Sequence, residues 1–152
     1  DGLHRAAGTS EELLVEVHGT GSLVECQSCG HREPPETSFE GFKKEGKCPR
    51  CACGGYLKPA TISFGQSLRE DDLNRAFAAA GSCDLVLALG STLSVSPANS
   101  IPMAAARSGV PYIIINRDET DHDNLPQVTL RLFDNLEDVF PSAVDVALES
   151  GS

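Results

Sequence analysis

Five cysteines crowd one stretch of this chain: Cys26, Cys29, Cys48, Cys51 and Cys53. Cys26-x-x-Cys29 and Cys48-x-x-Cys51 are separated by eighteen residues, the spacing of a four-thiolate zinc site. Each Cys-x-x-Cys folds into a tight turn that presents two thiolates to one ion, and two such turns complete a tetrahedron. The expected ligands are therefore Cys26, Cys29, Cys48 and Cys51. Cys53 follows so closely that it can replace Cys51 or Cys48, and spacing does not choose between them. His31 is a less suitable ligand beside four thiolates. A closed four-thiolate site leaves no position for water, so the zinc is expected to be structural. Cys83, between a helix and an apolar strand, reads as a small core residue.

Other residues have types and positions suited to chemistry. His18 closes the run 13–18, read as a short strand, at a turn marked by Gly19 and Gly21. A histidine at a strand end can face a cleft and act as a general base. His122, between Asp121 and Asp123, reads as solvated. Gly90-Ser91-Thr92 and Asn116-Arg117-Asp118 each follow an apolar strand directly. Ligands of open α/β sheets bind beyond the carboxyl ends of the strands, so both are candidate contacts, and both also suit ordinary turns.

The elements that must position these groups follow from periodicity. Residues 58–64 read as a strand. Leu73, Ala76, Phe77 and Ala80 fall on one face of a helix over about residues 70–80, ended by Gly81. The runs 84–89, 110–116 and 128–133 are near-continuously apolar, as in parallel strands covered on both faces. Ser96-Pro97 opens a helix running to Gly109, with a kink at Pro102. A last amphipathic helix covers about residues 135–149, with Pro141 as a bend. Alternating helices and strands predict an α/β fold, a partial Rossmann-like parallel sheet with helices on both faces. Residues 1–22 and 57–152 would form this nucleotide-binding domain. Residues 23–56, poor in large apolar groups, would form a zinc-ribbon module in which the metal replaces a core.

Composition narrows the partners. The 152 residues carry a net charge of −10, which disfavours nucleic acid and favours basic partners such as lysine-rich tails. No run of eighteen apolar residues spans a membrane. Paired cysteines without a secretory leader make a reducing compartment the expectation, with the cytoplasm as the default and the nucleus as the alternative. No basic run of the nuclear-localisation kind is present.

Together the motifs resemble one family. Asp1-Gly2-Leu3-His4, Glu16-Val17-His18-Gly19, the paired cysteines, Leu57-Lys58-Pro59, Ser63-Phe64-Gly65-Gln66, Leu89-Gly90-Ser91-Thr92-Leu93, Val95-x-Pro97-Ala98 and Ile115-Asn116 stand in sirtuin order. The resemblance implies an NAD-dependent protein-lysine deacylase that moves the acyl group to ADP-ribose and releases nicotinamide. It implies that His18 is the catalytic base, accepting a proton from a ribose hydroxyl. Asp1 would shape the nicotinamide pocket, and Gly90, Ser91 and Asn116 would bind the cofactor. Phe64-Gly65 and the stretch Leu93–Val95 would hold the acyl-lysine peptide by strand addition. NAD and Zn²⁺ are the implied cofactors.

This chain departs from the family in three places. Ser91-Thr92 stands for Thr-Ser, which keeps a hydroxyl at each position. Gln66 stands for Glu, which keeps hydrogen bonding without the charge. The Gly-Ala-Gly-rich phosphate loop that sirtuins carry ahead of Asp1 has no counterpart in residues 1–152, where no G-x-G-x-x-G occurs. The expectation is therefore a partial sheet and little turnover from this chain by itself. Two other functions stand beside the deacylase: a non-catalytic peptide- or partner-binding module, and an NAD hydrolase or ADP-ribosyltransferase.

Overall fold

A computed structural model describes residues 2–151, so Asp1, expected to shape the nicotinamide pocket, lies outside the described residues. The chain divides into two compact units, residues 1–73 and 74–152.

The first unit opens with a short helix, α1 (Leu3–Ala6), and continues with β1 (Gly19–Cys26), β2 (Arg32–Glu33), α2 (Pro35–Glu45) and β3 (Leu57–Thr61). β1 lies between β2 and β3, antiparallel to both. The run 13–18 is not a strand. Residues 11–13 and 17–18 are turns, and pairing begins only at Gly19, opposite Thr61. The return strand ends at Thr61, short of Phe64.

α2 was not expected from the sequence, because only Phe39 and Phe42 mark its apolar side. End signals define it instead. Pro35 occupies the first turn with Glu36, Lys43 and Lys44 occupy the last, and left-handed Gly46 caps it by donating to Phe42 O at 2.8 Å. The core beneath is small. Val24, Cys26 and Leu57 are buried, with Phe39 and Cys51 packed against them.

The second unit begins within α3 (Glu70–Ala80) and adds β4 (Val86–Leu89), α4 (Ser100–Arg107), β5 (Tyr112–Ile115), β6 (Leu130–Leu132) and α5 (Leu136–Ser150). The strands form a parallel sheet in the order β4-β5-β6. This is the α/β arrangement that the apolar runs predict. β5 is central, and its Tyr112, Ile114 and Ile115 are buried. α4 packs on β4 and β5. It starts at Ser100, later than expected, because residues 96–99 form turns. Pro102 therefore lies in the first turn, where a missing N–H costs nothing. Ala88, Leu93, Met103, Ala106, Tyr112 and Ile114 make the core. α5 continues through Pro141, and none of its described residues is buried.

His122 is not solvated. It is only 5% exposed, and its Nδ1 lies 2.9 Å from the hydroxyl of Tyr112, which is fully buried. A buried tyrosine hydroxyl needs a partner, and this need outweighs the polarity of the flanking aspartates. Burial pushes the Tyr112 hydroxyl up to about 12, helped by Asp123. Burial also lowers the His122 pKa, against the pull of Asp121 and Asp123.

A histidine held neutral by burial protonates at lower pH in the folded chain than in the unfolded one, where its pKa is about 6.5. The unfolded state then binds more protons below about 6.5, so stability falls as pH drops through that value. Asp123 titrates below this window, since its carboxyl is held under its ordinary range. Urea midpoints should therefore fall between about pH 7.5 and pH 5.5, and His122→Asn should flatten the fall. Equal slopes in both proteins would exclude His122 as its source.

Candidate functional site

Four sulfurs converge in the first unit: those of Cys26, Cys29, Cys51 and Cys53 all lie within 4.8 Å of one another. Cys26 to Cys53 is 3.5 Å, Cys29 to Cys53 3.4 Å and Cys29 to Cys51 3.8 Å. A tetrahedron with metal–sulfur bonds of about 2.3 Å has edges of about 3.8 Å. The sulfurs thus stand close to the separations that zinc requires, and all four are free cysteines.

Cys53 stands where the spacing predicted Cys48, which lies outside this group. The reason is a hairpin. Arg50 pairs with Tyr56, and Leu57 N–H donates to Pro49 O at 3.0 Å. The chain reverses between them, where Gly54 N–H donates to Cys51 O and Cys51 N–H to Gly55 O, both at 2.8 Å. Cys51 and Cys53 share the tip of this hairpin, whereas Cys48 precedes its paired part. Gly55 admits the close approach, since a Cβ there would lie 2.6 Å from Cys26 Sγ and from Ser28 Oγ. Gly54-Gly55, directly after Cys53, is the signal that would have favoured it over Cys48.

The first knuckle is prepared for a thiolate. Backbone N–H groups of Cys29 and Ser28 point at Cys26 Sγ and bring that thiol down to about 6. The His31 N–H also favours a Cys29 thiolate, but the sulfurs of Cys53, Cys26 and Cys51 around it push it up to about 12. Four thiolates so close repel one another unless a cation lies between them. The donor set therefore fits Zn²⁺, which would hold the hairpin to the Cys26–Cys29 turn.

In the second unit, the expected cofactor loops are neighbours. Leu89 pairs with Ile115 in parallel register, and Gly90 N–H donates to Ile115 O at 3.0 Å. Gly90-Ser91 and Asn116 therefore leave adjacent strands side by side, at their carboxyl ends. Asn116 N–H donates to Leu132 O at 3.2 Å, and its Nδ2 to Asp118 O at 2.8 Å. Leu93 adopts a left-handed φ of 56°, which costs about 1–3 kcal/mol for a residue with a Cβ. Its surroundings hold it there. The side chain is in the core, its N–H donates to Ser91 Oγ at 3.2 Å, and Asn99 Nδ2 donates to its carbonyl at 3.1 Å. Residues 91–94 form no strand, and Val95, in the following bend, is exposed.

The remaining expected residues belong to the first unit. His18 is exposed on the turn before β1, and its carbonyl accepts from Ile62 N–H at 2.8 Å. Gly19 beside it has φ 74°, and a Cβ there would stand 2.1 Å from Ala60 O, so only glycine lets the His18 turn enter the sheet. Arg5 pairs with Glu16 at 2.8 Å, and Glu16 O accepts from Gly19 N–H at 2.8 Å. Phe64 is 95% exposed and begins a turn with left-handed Gly65. Gln66 closes this turn by accepting from Ser63 N–H at 2.9 Å. An acceptor is what the turn uses, so the glutamine serves there.

Two substitutions test the ligand set. Cys53→Ala should lose bound zinc, and Cys48→Ala should retain about one ion per chain, as read by elemental analysis after dialysis. The opposite pattern would return Cys48 to the site.

The Sir2 family profile matches residues 1–97. A protein of Rhodopseudomonas palustris named NAD-dependent protein deacetylase is 40% identical over 132 residues, covering 86% of this chain and 52% of its own length. One of the same name from Haloarcula marismortui is 38% identical over 146 residues, covering 95% of this chain and 55% of its own. The chain thus spans about half the length of the curated relatives it matches. Among solved structures, Sir2Tm bound to a propionylated peptide aligns with a TM-score of 0.81 and 30% identity, over 99% of this chain and 60% of that one. A Sir2–p53 peptide–NAD⁺ complex aligns equally well, with a TM-score of 0.81 at 30% identity over the same shares. With the expected parallel sheet, a four-cysteine cluster and a profile match over more than half its residues, the chain belongs to the Sir2 family.

Proposed function

We propose that this chain carries the zinc module, the general base and one side of the nucleotide site of an NAD-dependent protein-lysine deacylase. The observation that supports this best is the adjacency of Gly90-Ser91 and Asn116. They lie at the carboxyl ends of paired parallel strands, where sheets of this class receive nucleotides. These residues fit the ribose and adenine end of NAD through backbone N–H groups, a hydroxyl and an amide.

Bound NAD supplies the electrophilic ribose carbon from which nicotinamide leaves. The chain's own residues do the rest. His18, exposed on a turn that Gly19 and Glu16 hold in place, accepts a proton at an unprotonated imidazole nitrogen. Ser91 and Asn116 orient the nucleotide. Phe64 offers an uncovered apolar side chain beside backbone that an extended acyl-lysine peptide can pair with. The net charge of −10 attracts the lysine-rich segments such a substrate carries. The thiolate cluster takes no part in chemistry and holds its module folded, which requires a reducing compartment.

The test is incubation of the zinc-loaded chain with NAD and an acetyl-lysine peptide, following nicotinamide and free peptide by mass spectrometry. Slow but matched release of both is expected, since the chain holds only one side of the nucleotide site, and His18→Ala should lower it further, by roughly 10²–10⁴-fold. Nicotinamide release that needs no peptide would mark an NAD hydrolase. Peptide binding without any product would make the chain a binding module.

A further inference from the structure

Arg131 was not among the residues that the sequence pointed to, yet it carries a dense polar network in the second unit. It lies on β6 with its side chain 9% exposed, against an Asp123 side chain 10% exposed. Its Nε donates to Asp123 Oδ1 at 2.6 Å. One terminal nitrogen donates to Asn116 O at 2.8 Å and also to Leu132 O. The other donates to Asp118 O at 2.7 Å. The guanidinium lies over the Phe133 ring, 3.7 Å from its centre. One planar cation thus grips the backbone on both sides of Arg117, and Asp118 O in turn receives the Asn116 amide.

The network has a second branch. Asp123 accepts from Thr120 N–H at 2.9 Å and from Thr120 Oγ1 at 2.5 Å. Burial alone would raise the Asp123 carboxyl, but Thr120 and Arg131 outweigh it and hold it below the ordinary carboxylate range. The anchored segment then reaches the other loop, where Asp121 N–H donates to Thr92 O at 3.0 Å. Arg131 is therefore tied to Asn116 directly and to Gly90-Ser91-Thr92 through Asp123 and the 120–121 backbone.

We propose that Arg131 is a positioning residue that sets both nucleotide loops at once, a role that rests on the nucleotide reading above. If stability alone were at stake, a buried ion pair would have no advantage over apolar packing. What an apolar residue cannot do is donate to carbonyls at 116 and 118 from one rigid plane. Lysine cannot do so either, since its ammonium lacks the fork.

Arg131→Lys is the test, because it keeps a cation opposite Asp123 and so preserves the fold. Arg107→Lys, exposed at the end of α4, is the control. NAD is titrated calorimetrically into each protein, and amide exchange is followed by NMR at Asn116 and Asp121. Arg131→Lys should bind NAD roughly tenfold more weakly, with faster exchange at both amides and unchanged zinc content. Asp123→Asn cuts only the second branch, and should speed exchange at Asp121 while sparing Asn116. Unchanged exchange in Arg131→Lys would overturn the positioning role whatever the nucleotide does. Faster exchange with unaltered NAD affinity would overturn it as well. A wild-type chain that does not bind NAD would instead remove the nucleotide reading, and this role with it.

Discussion

Four sulfurs within 4.8 Å of one another are the constraint on which the first unit depends. Its core holds little beyond Val24, Cys26 and Leu57, too few apolar groups to offset the entropy of ordering two turns, a hairpin and a helix. Cys26 belongs to both systems, buried in that core and pointed at the cluster. The hairpin tip, the Cys26–Cys29 knuckle and the close approach of Gly55 are one arrangement, which a cation completes by cancelling the charge of the thiolates. β1 carries this order onward. It starts at Gly19, the residue that lets the His18 turn meet Ala60, and it ends at Cys26.

The second unit depends on different physics. Its strands are parallel and its middle strand is buried, so apolar area holds the frame. The loops at the carboxyl ends of β4 and β5 have less of that support, chiefly the Leu93 side chain, and are shaped largely by polar groups. Leu93 is held in a left-handed conformation by core packing on one side and by Ser91 and Asn99 on the other. Arg131 holds the 116–118 backbone. Tyr112 and His122 fasten the neighbouring loop from within the core. Rigid strands fix where the loops begin, and buried hydrogen bonds fix what they present.

Much of this is legible in the sequence. Three consecutive isoleucines in 113–115 predicted a buried strand, and the 3.6-residue spacing of Leu73, Ala76, Phe77 and Ala80 predicted α3, with bounds that agree. What failed had identifiable causes. α2 has end signals but hardly an apolar stripe, so a reading based on periodicity passed over it. His122 looked solvated because its chain neighbours are acidic, while its real partner is ten residues earlier. Arg131 sits inside a run read as an apolar strand covered on both faces, so its charge drew no role. Its acceptors are mainly backbone carbonyls, which leave no trace in residue types.

The sequence by itself determined the residue types that can do chemistry: thiols in pairs, a histidine before Gly19, and glycine, serine and asparagine after apolar strands. It also determined the order of elements in the second unit, because hydrophobic periodicity and end signals act over a few neighbouring residues. Only the tertiary structure decided which thiols meet. Cys48 and Cys53 are equally good ligands, and the choice follows from where the hairpin reverses. It also decided that Gly90 and Asn116 stand side by side, and that one arginine steadies both of their loops. The last two outcomes depend on strand register and on backbone acceptors brought together from distant positions, which no local pattern encodes.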